Sequence, residues 1–204
     1  MLKPRLAARL RRLAAAALML LAAPFASSQE MAPDVLMRTI SDEVTASMQT
    51  IDVGDASKLA ELVEAKILPH FDFARATQIA LGANWRRASP DQQQRLIQEF
   101  RRLLVRTYSG ALAGYRGQAI SFRALRASPG DTEVTVRSQV RQPGAEPIAI
   151  DYDLHQSGAA WKVFDVRISG ISLVATYRSA FNDTVRNHGI DGLIGTLESK
   201  NRGG

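Results

Sequence analysis

Few side chains in this 204-residue sequence are suited to chemistry: three histidines, four tyrosines, the carboxylates, and no cysteine. His70 and Asp72, two apart in "LPHFDF", resemble a base with an orienting carboxylate. Asp153 and His155 are also two apart, so on a strand they share a face and can form a polar pair; an exposed sheet face explains them as well. Asp151, Tyr152 and Asp153 would supply a base and a phenolic donor, but adjacent strand residues point to opposite faces. His188 stands just before Gly189, where a donor or cation favours a helix end. Three dispersed histidines without H-E-x-x-H leave metal binding unsupported. There is no G-x-S-x-G elbow, and no Gly-rich phosphate loop follows a strand.

The elements that must position these groups begin as helices. Leu36, Met37, Ile40, Val44, Met48 and Ile51 recur at helical spacing behind Pro33 and Asp34, which predicts a helix over 34–50. A second runs from an Asp55 cap to Leu68, and a third restarts after Pro69 and stops at Gly82. "SPDQ" opens the clearest one: Ser89 caps, Pro90 suits the first turn, and Gln92 completes a capping box. Its stripe is Leu96, Ile97, Phe100, Leu103, Leu104 and Tyr108, with Arg95, Arg102 and Arg106 on the opposite face. Those arginines read as a solvated face that could meet an acidic partner or anionic headgroups, with Arg86, Arg87 and Arg178 as further rim candidates. Trp85 reads as a packing anchor.

From residue 117 the period changes to two. "AISFRALRA", "TEVTVRSQV", "IAIDYDLH" and "WKVFDVRI" are strand-like and are separated by "SPGD", "QPGAEP" and "QSGA", which predicts a four-stranded antiparallel meander. Val134, Val136 and Val140 share one face, as do Ile148, Ile150, Tyr152 and Leu154, so one side of the sheet must be covered. "ISGISLVATYRSAF" then breaks at Gly170, Ser172 caps, and a helix with its stripe on Leu173, Val174, Tyr177, Phe181 and Val185 returns across the sheet towards Gly189. Asp191 caps a last short helix through Leu197, and "NRGG" reads as a frayed tail over 201–204. Gly170 and the links at 128–131 and 142–147 are places for movement.

Residues 1–28 read as a secretory signal peptide: Lys3, Arg5, Arg9, Arg11 and Arg12, then an apolar run from Leu13 to Ala23, then Ala26 and Ser28 in small-x-small spacing. That run is shorter than the ~20 residues of a bilayer span. With no cysteine, a bacterial lipid anchor has no attachment point, and the twin arginines lack fitting flanks. Five of the 26 lysines and arginines, and none of the 20 acidic residues, fall in this segment, so the remainder carries a formal charge near +1 rather than +6. A nucleic-acid surface loses its support. Without disulfides, residues 29–200 form a single domain held by an ordinary core.

"LPHFDF", "LGANWRRASPDQQQRLIQEFRRLLVRTY", "WKVFDVRISGISLVATYRSAF" and "GIDGLIGTL", in this order over residues 34–198, resemble the MlaC family of periplasmic phospholipid-shuttle proteins, also called toluene-tolerance proteins. The resemblance implies an α+β fold, a helical layer on a strongly bent four-stranded antiparallel meander, related to the nuclear-transport-factor-like cone, with an apolar lipid pocket. It implies a location in the periplasm of a Gram-negative bacterium and a monomer with no cofactor, carrying phospholipid as cargo. Its implied partners are an outer-membrane lipoprotein and porin complex and an inner-membrane ABC transporter bearing an MCE-domain subunit, and the implied task is to maintain outer-membrane lipid asymmetry. It also makes "HFDF" a structural helix start rather than a catalytic pair.

Physical chemistry asks for such a pocket in any lipid carrier. The tails of a two-chain lipid expose roughly 30 methylenes at about 0.8 kcal/mol each, so leaving them in water costs on the order of 20 kcal/mol. A bilayer offers the same burial, so only the difference between pocket and membrane drives transfer. The tail cavity is expected to use Val134, Val136, Ile148, Ile150, Tyr152 and Leu154 from the sheet, with Leu104, Tyr108, Leu173 and Tyr177. Ordinary core packing is the competing reading of each residue taken alone. Two other classes stay open: a ketosteroid-isomerase-type enzyme, which would need a carboxylate aimed inward from the meander, and an interaction module, which would have a filled interior.

Overall fold

The computed structural model describes residues 31–52, 54–114, 117–141 and 144–203. Residues 1–28, read from the sequence as a signal peptide, and residues 142–143 of one proposed mobile link lie outside them. Among the described residues there are five α-helices and five strands: α1 Pro33–Met48, α2 Ala56–Leu62, α3 Phe73–Leu81, α4 Pro90–Ala113, β1 Ile120–Phe122, β2 Glu133–Val140, β3 Ile148–Ser157, β4 Ala160–Ile168, β5 Ile171–Ser172 and α5 Arg178–Arg202.

The helix starts follow the local chemistry. Asp55 accepts the Ser57 and Lys58 N–H groups at 2.9 and 3.3 Å, and Asp72 accepts that of Arg75 at 2.8 Å. Ser89 Oγ accepts from Gln92 N at 3.2 Å while Gln92 Oε1 accepts from Ser89 N at 3.0 Å, so two otherwise unpaired N–H groups are satisfied reciprocally. After α2 the winding departs from the expected continuous helix. Val63–Ile67 is a π turn and Leu68–His70 a 3₁₀ turn, and Pro69, lacking an N–H, cannot carry an α-helix onward.

The sheet is antiparallel in the order β1-β2-β3-β4-β5. Its fifth strand is a correction to the expected four. Ser169 and Gly170 both adopt positive φ, 50° and 82°, which suits a two-residue hairpin turn, and Ile171 and Ser172 then pair with Ile168 and Arg167. Strand alternation divides the faces. Val134, Val136, Leu154, Trp161 and Val163 form a core beneath Met37 of α1. On the other face Thr135 donates to Asp153 at 2.7 Å, and Arg167 pairs with Asp153 at 2.8 Å.

The last segment also differs from expectation. Ser172 Oγ accepts the Ala175 N–H at 2.8 Å, opening a 3₁₀ turn at Ala175–Tyr177 before α5. Instead of returning across the sheet, α5 buries Phe181, Val185, Leu193, Ile194 and Leu197 against Leu81, Leu96 and Phe100 in a second, helical core. Gly189, at φ 70° and ψ −176°, kinks it, so its two halves present both apolar groups to α4. Asn201, placed by the sequence in a frayed tail, continues this helix, and its amide donates to the Glu99 carbonyl at 2.9 Å and carboxylate at 2.7 Å.

Candidate functional site: two apolar cavities

The stripe that buries Leu96, Phe100 and Leu103 of α4 continues as Leu104, Tyr108 and Leu112, of which Leu104 also packs against the helical core and Leu112 against the cluster of α1 and α2. These three face a cavity of about 250 Å³. Ile150 and Tyr152 of β3, with Val166 and Ile168 of β4, form its sheet side, while Leu173 and Val174 close it near the last turn. The irregular stretch after α2 supplies Val63, Ile67, Leu68 and Phe71, and the first residue of α3 supplies Phe73. A second cavity of about 150 Å³ lies under α1, between Met37, Ile40, Val44 and Met48 and the sheet residues Ile120 and Val163. Ile67, Phe71, Leu112 and Tyr152 border both, so the two are neighbours across a wall of four apolar or aromatic side chains. A single water needs only about 10–15 Å³ of such space, so neither is an ordinary packing defect.

Phe71 is fixed in that wall by backbone pairing, since its own residue bridges to Val163 and the next N–H, of Asp72, donates to Val163 O at 2.8 Å. Asp72 also accepts from His155 Nε2 at 2.9 Å. The pairing is thus Asp72 with His155, not with His70. Both groups serve to tie the start of α3 to β3. His70 borders the smaller cavity, and burial, assisted by the charge of Lys162, holds its pKa below 6.5. Asp153 is directed to Thr135 and Arg167 instead of His155; burial raises its pKa and those two partners oppose the rise.

Polar groups at the larger cavity are few and occupied. The Tyr108 hydroxyl is pushed up to about 12, chiefly by burial and then by its hydrogen bond with Tyr177. Tyr152 is raised as well, by burial. Asp165 is the one carboxylate in the wall among the described residues. Its Oδ1 accepts the N–H groups of Val166 at 2.8 Å and Val174 at 3.2 Å, and its Oδ2 accepts the Ser172 hydroxyl at 2.5 Å. Both oxygens therefore hold the chain turn in place, Oδ1 with two hydrogen bonds and Oδ2 with one. No group of three or more metal-binding side chains occurs among the described residues, nor any helix long and apolar enough to cross a membrane.

Of the ten residues that the sequence assigns to a cavity, Leu104, Tyr108, Ile150, Tyr152 and Leu173 stand in the larger wall. Val134, Val136 and Leu154 lie one step deeper, in the sheet core. Ile148, at the start of β3, is partly exposed. Tyr177 stacks edge-on with Phe100, ring centroids 5.1 Å apart, and touches the site through Tyr108. The arginines of α4 are not a free face: Arg95 pairs with Glu198 at 2.9 Å, Arg102 with Glu99 at 2.6 Å, and Arg106 donates to the carbonyls of Lys200 and Asn201. They seam α4 to α5. Arg178 donates twice to Ile79 O and Arg87 to Asn84. Trp85 packs against the helical core.

An antiparallel sheet with helices along one face and apolar hollows between the two layers defines an α+β protein. The family model for the MlaC protein matches residues 38–199, and the chain belongs to the MlaC family. It is 23% identical over 175 residues to the "Intermembrane phospholipid transport system binding protein MlaC" of Haemophilus influenzae, covering 83% of this chain and 82% of that protein. With the "Toluene tolerance protein ttg2D" of Pseudomonas putida it shares 31% identity over 106 residues, 52% of this chain and 49% of that protein, about half its length. A solved phospholipid-binding protein from Ralstonia solanacearum, in complex with a phospholipid, superposes with a TM-score of 0.76 at 41% identity, covering 82% of this chain and 96% of that one.

Proposed function

We propose that this chain is a periplasmic phospholipid carrier without enzymatic activity. In this reading it forms a cone-like receptacle whose cavities take the acyl tails non-covalently while the headgroup stays at the mouth. It would collect lipid at one membrane complex and deliver it at another, between an outer-membrane lipoprotein and porin assembly and an inner-membrane ABC transporter with an MCE-domain subunit, and so maintain outer-membrane lipid asymmetry. The observation that carries the reading is the pair of adjoining apolar cavities, about 250 and 150 Å³, in a chain that has a lipid-bound structural relative. Family membership supports the same direction. The tie of Asp165 to the chain turn by three hydrogen bonds favours a structural role for it over the isomerase-type alternative, and the hollow interior speaks against a filled interaction module.

The test is direct. Protein expressed in bacteria without residues 1–28, purified gently and extracted with solvent, should release phospholipid in stoichiometric amount by mass spectrometry. A lipid-free chain that also fails to take up added phospholipid would overturn the reading.

A further inference from the structure

Cross-strand registers arrange the helix-covered face of the sheet in rows. Val134, Leu154 and Val163 lie opposite one another, then Val136, Tyr152 and Val166, then Phe122, Ser138, Ile150, Ile168 and Ile171, and last Ile120, Val140 and Ile148. The apolar members are most buried in the first row and less so in the outer two, with the greatest exposure at Ile171 on the edge strand. Leu154 and Val163 are fully buried, Ile150 and Ile168 stand in the cavity wall, Ile120, Val140 and Ile148 are partly exposed, and Ile171 is 62% exposed. A sheet face that emerges into water normally turns polar. Here its outer end stays apolar, aliphatic apart from Phe122, and Ser138, the one polar member, spends its hydroxyl on the Ile150 carbonyl at 3.0 Å.

The exposure of Ile171 is built in. The turn before it holds Ser169 at φ 50°, a conformation that costs a non-glycine residue about 1 kcal/mol or more. The chain after it is pinned, since Ser172 donates to Asp165 and Leu173 N donates to Val166 O at 2.9 Å. The register with Ile168 then sends Ile171 to the same side as the cavity wall.

We propose that these outer rows are the sill over which acyl chains slide into the larger cavity, with Ile171 against the carboxyl end of a bound chain and the deep rows towards its terminal methyl. The inference rests on the carrier reading and adds the direction of entry. Its occupant is hydrocarbon because the surface runs unbroken from inside the cavity to the outside, as a chain lying partly in and partly out requires. A docked protein would ask instead for free aromatic or arginine anchors at the centre of its patch, whereas Phe122 is already covered by the Arg38 guanidinium, 5.2 Å from its ring centre, and Arg38 is spent on the Phe122 carbonyl.

The absence of cysteine allows a single reporter to be placed anywhere. Ile171→Cys carries a fluorophore on the sill, and Arg137→Cys carries the same fluorophore on the opposite face. In Trp85→Phe, the remaining Trp161, packed beside Val163 at the deep end, is the intrinsic probe. Each protein is loaded with phosphatidylcholine bearing a nitroxide either near the acyl carboxyl end or at the terminal methyl. The carboxyl-end label should quench the probe at 171 severalfold more than the terminal label, with the order reversed at Trp161 and little quenching at 137. The same order at both ends, or a quenched Trp161 with a silent probe at 171, overturns the sill and leaves that surface to a protein partner. No quenching at any site, together with no lipid recovered by extraction, is instead the failure of the carrier reading itself.

Discussion

His70 illustrates how a residue singled out for chemistry acts through its surroundings. Burial beside the smaller cavity, with the Lys162 charge, depresses its pKa in the folded chain. The unfolded chain then binds more protons just below pH 6.5, so stability falls as pH drops from there through the folded value and is unaffected well above it. His70→Gln should remove this slope, which urea denaturation at stepped pH would reveal as a flatter stability profile over that acidic window. At this scale the cavity was half legible. Leu104 and Tyr108 fell on a helical stripe, and Ile150 and Tyr152 on a strand alternation. The same alternation includes Val134, Val136 and Leu154, because period two reports which face a residue takes and not how far along the strand packing stops. Phe71 and Phe73 escaped because they flank a cap in irregular backbone, where no period marks an inward direction.

Helix boundaries were the most readable elements, since Asp55, Ser89 and Gln92 make the hydrogen bonds that their types and spacing foretell. The two-residue β5 was not, because its pairing depends on a turn in which a serine takes positive φ. Nor was the destination of α5. Its apolar positions suit a sheet or a helix equally, and the arginine seam that fastens it to α4 reads in sequence as a wet face. Gly189 is the element's decisive residue: at φ 70° and ψ −176° it occupies a region nearly confined to glycine. Gly189→Ala should cost about 1–3 kcal/mol, seen as a lower denaturant midpoint with an unchanged slope. An unaltered midpoint would mean that the two halves of the helix can realign without the kink.

For the molecule as a whole, stability and capacity should be separable, because the helical core of α3, α4 and α5 shares only Ala76, Leu104 and Val174 with the larger cavity's wall. Ile150→Trp places bulk in the larger cavity and should reduce the lipid retained per chain, while the unliganded protein keeps its stability to within about 1–2 kcal/mol. Lipid extraction and urea denaturation on the same preparation decide this. Loss of both together would tie the cavity to the fold rather than to cargo.

The π turn at Val63–Ile67 carries one more consequence. Its first and last residues both face the larger hollow, and its extra residue per turn sets the angle between α2 and everything that follows. Excising the exposed Ala65 would tighten the winding to ordinary pitch and rotate Ile67 and Leu68 by roughly 100° relative to α2. Chain length is thus coupled to the shape of the interior at this turn, and a one-residue deletion, harmless in a surface loop, would here redraw the receptacle.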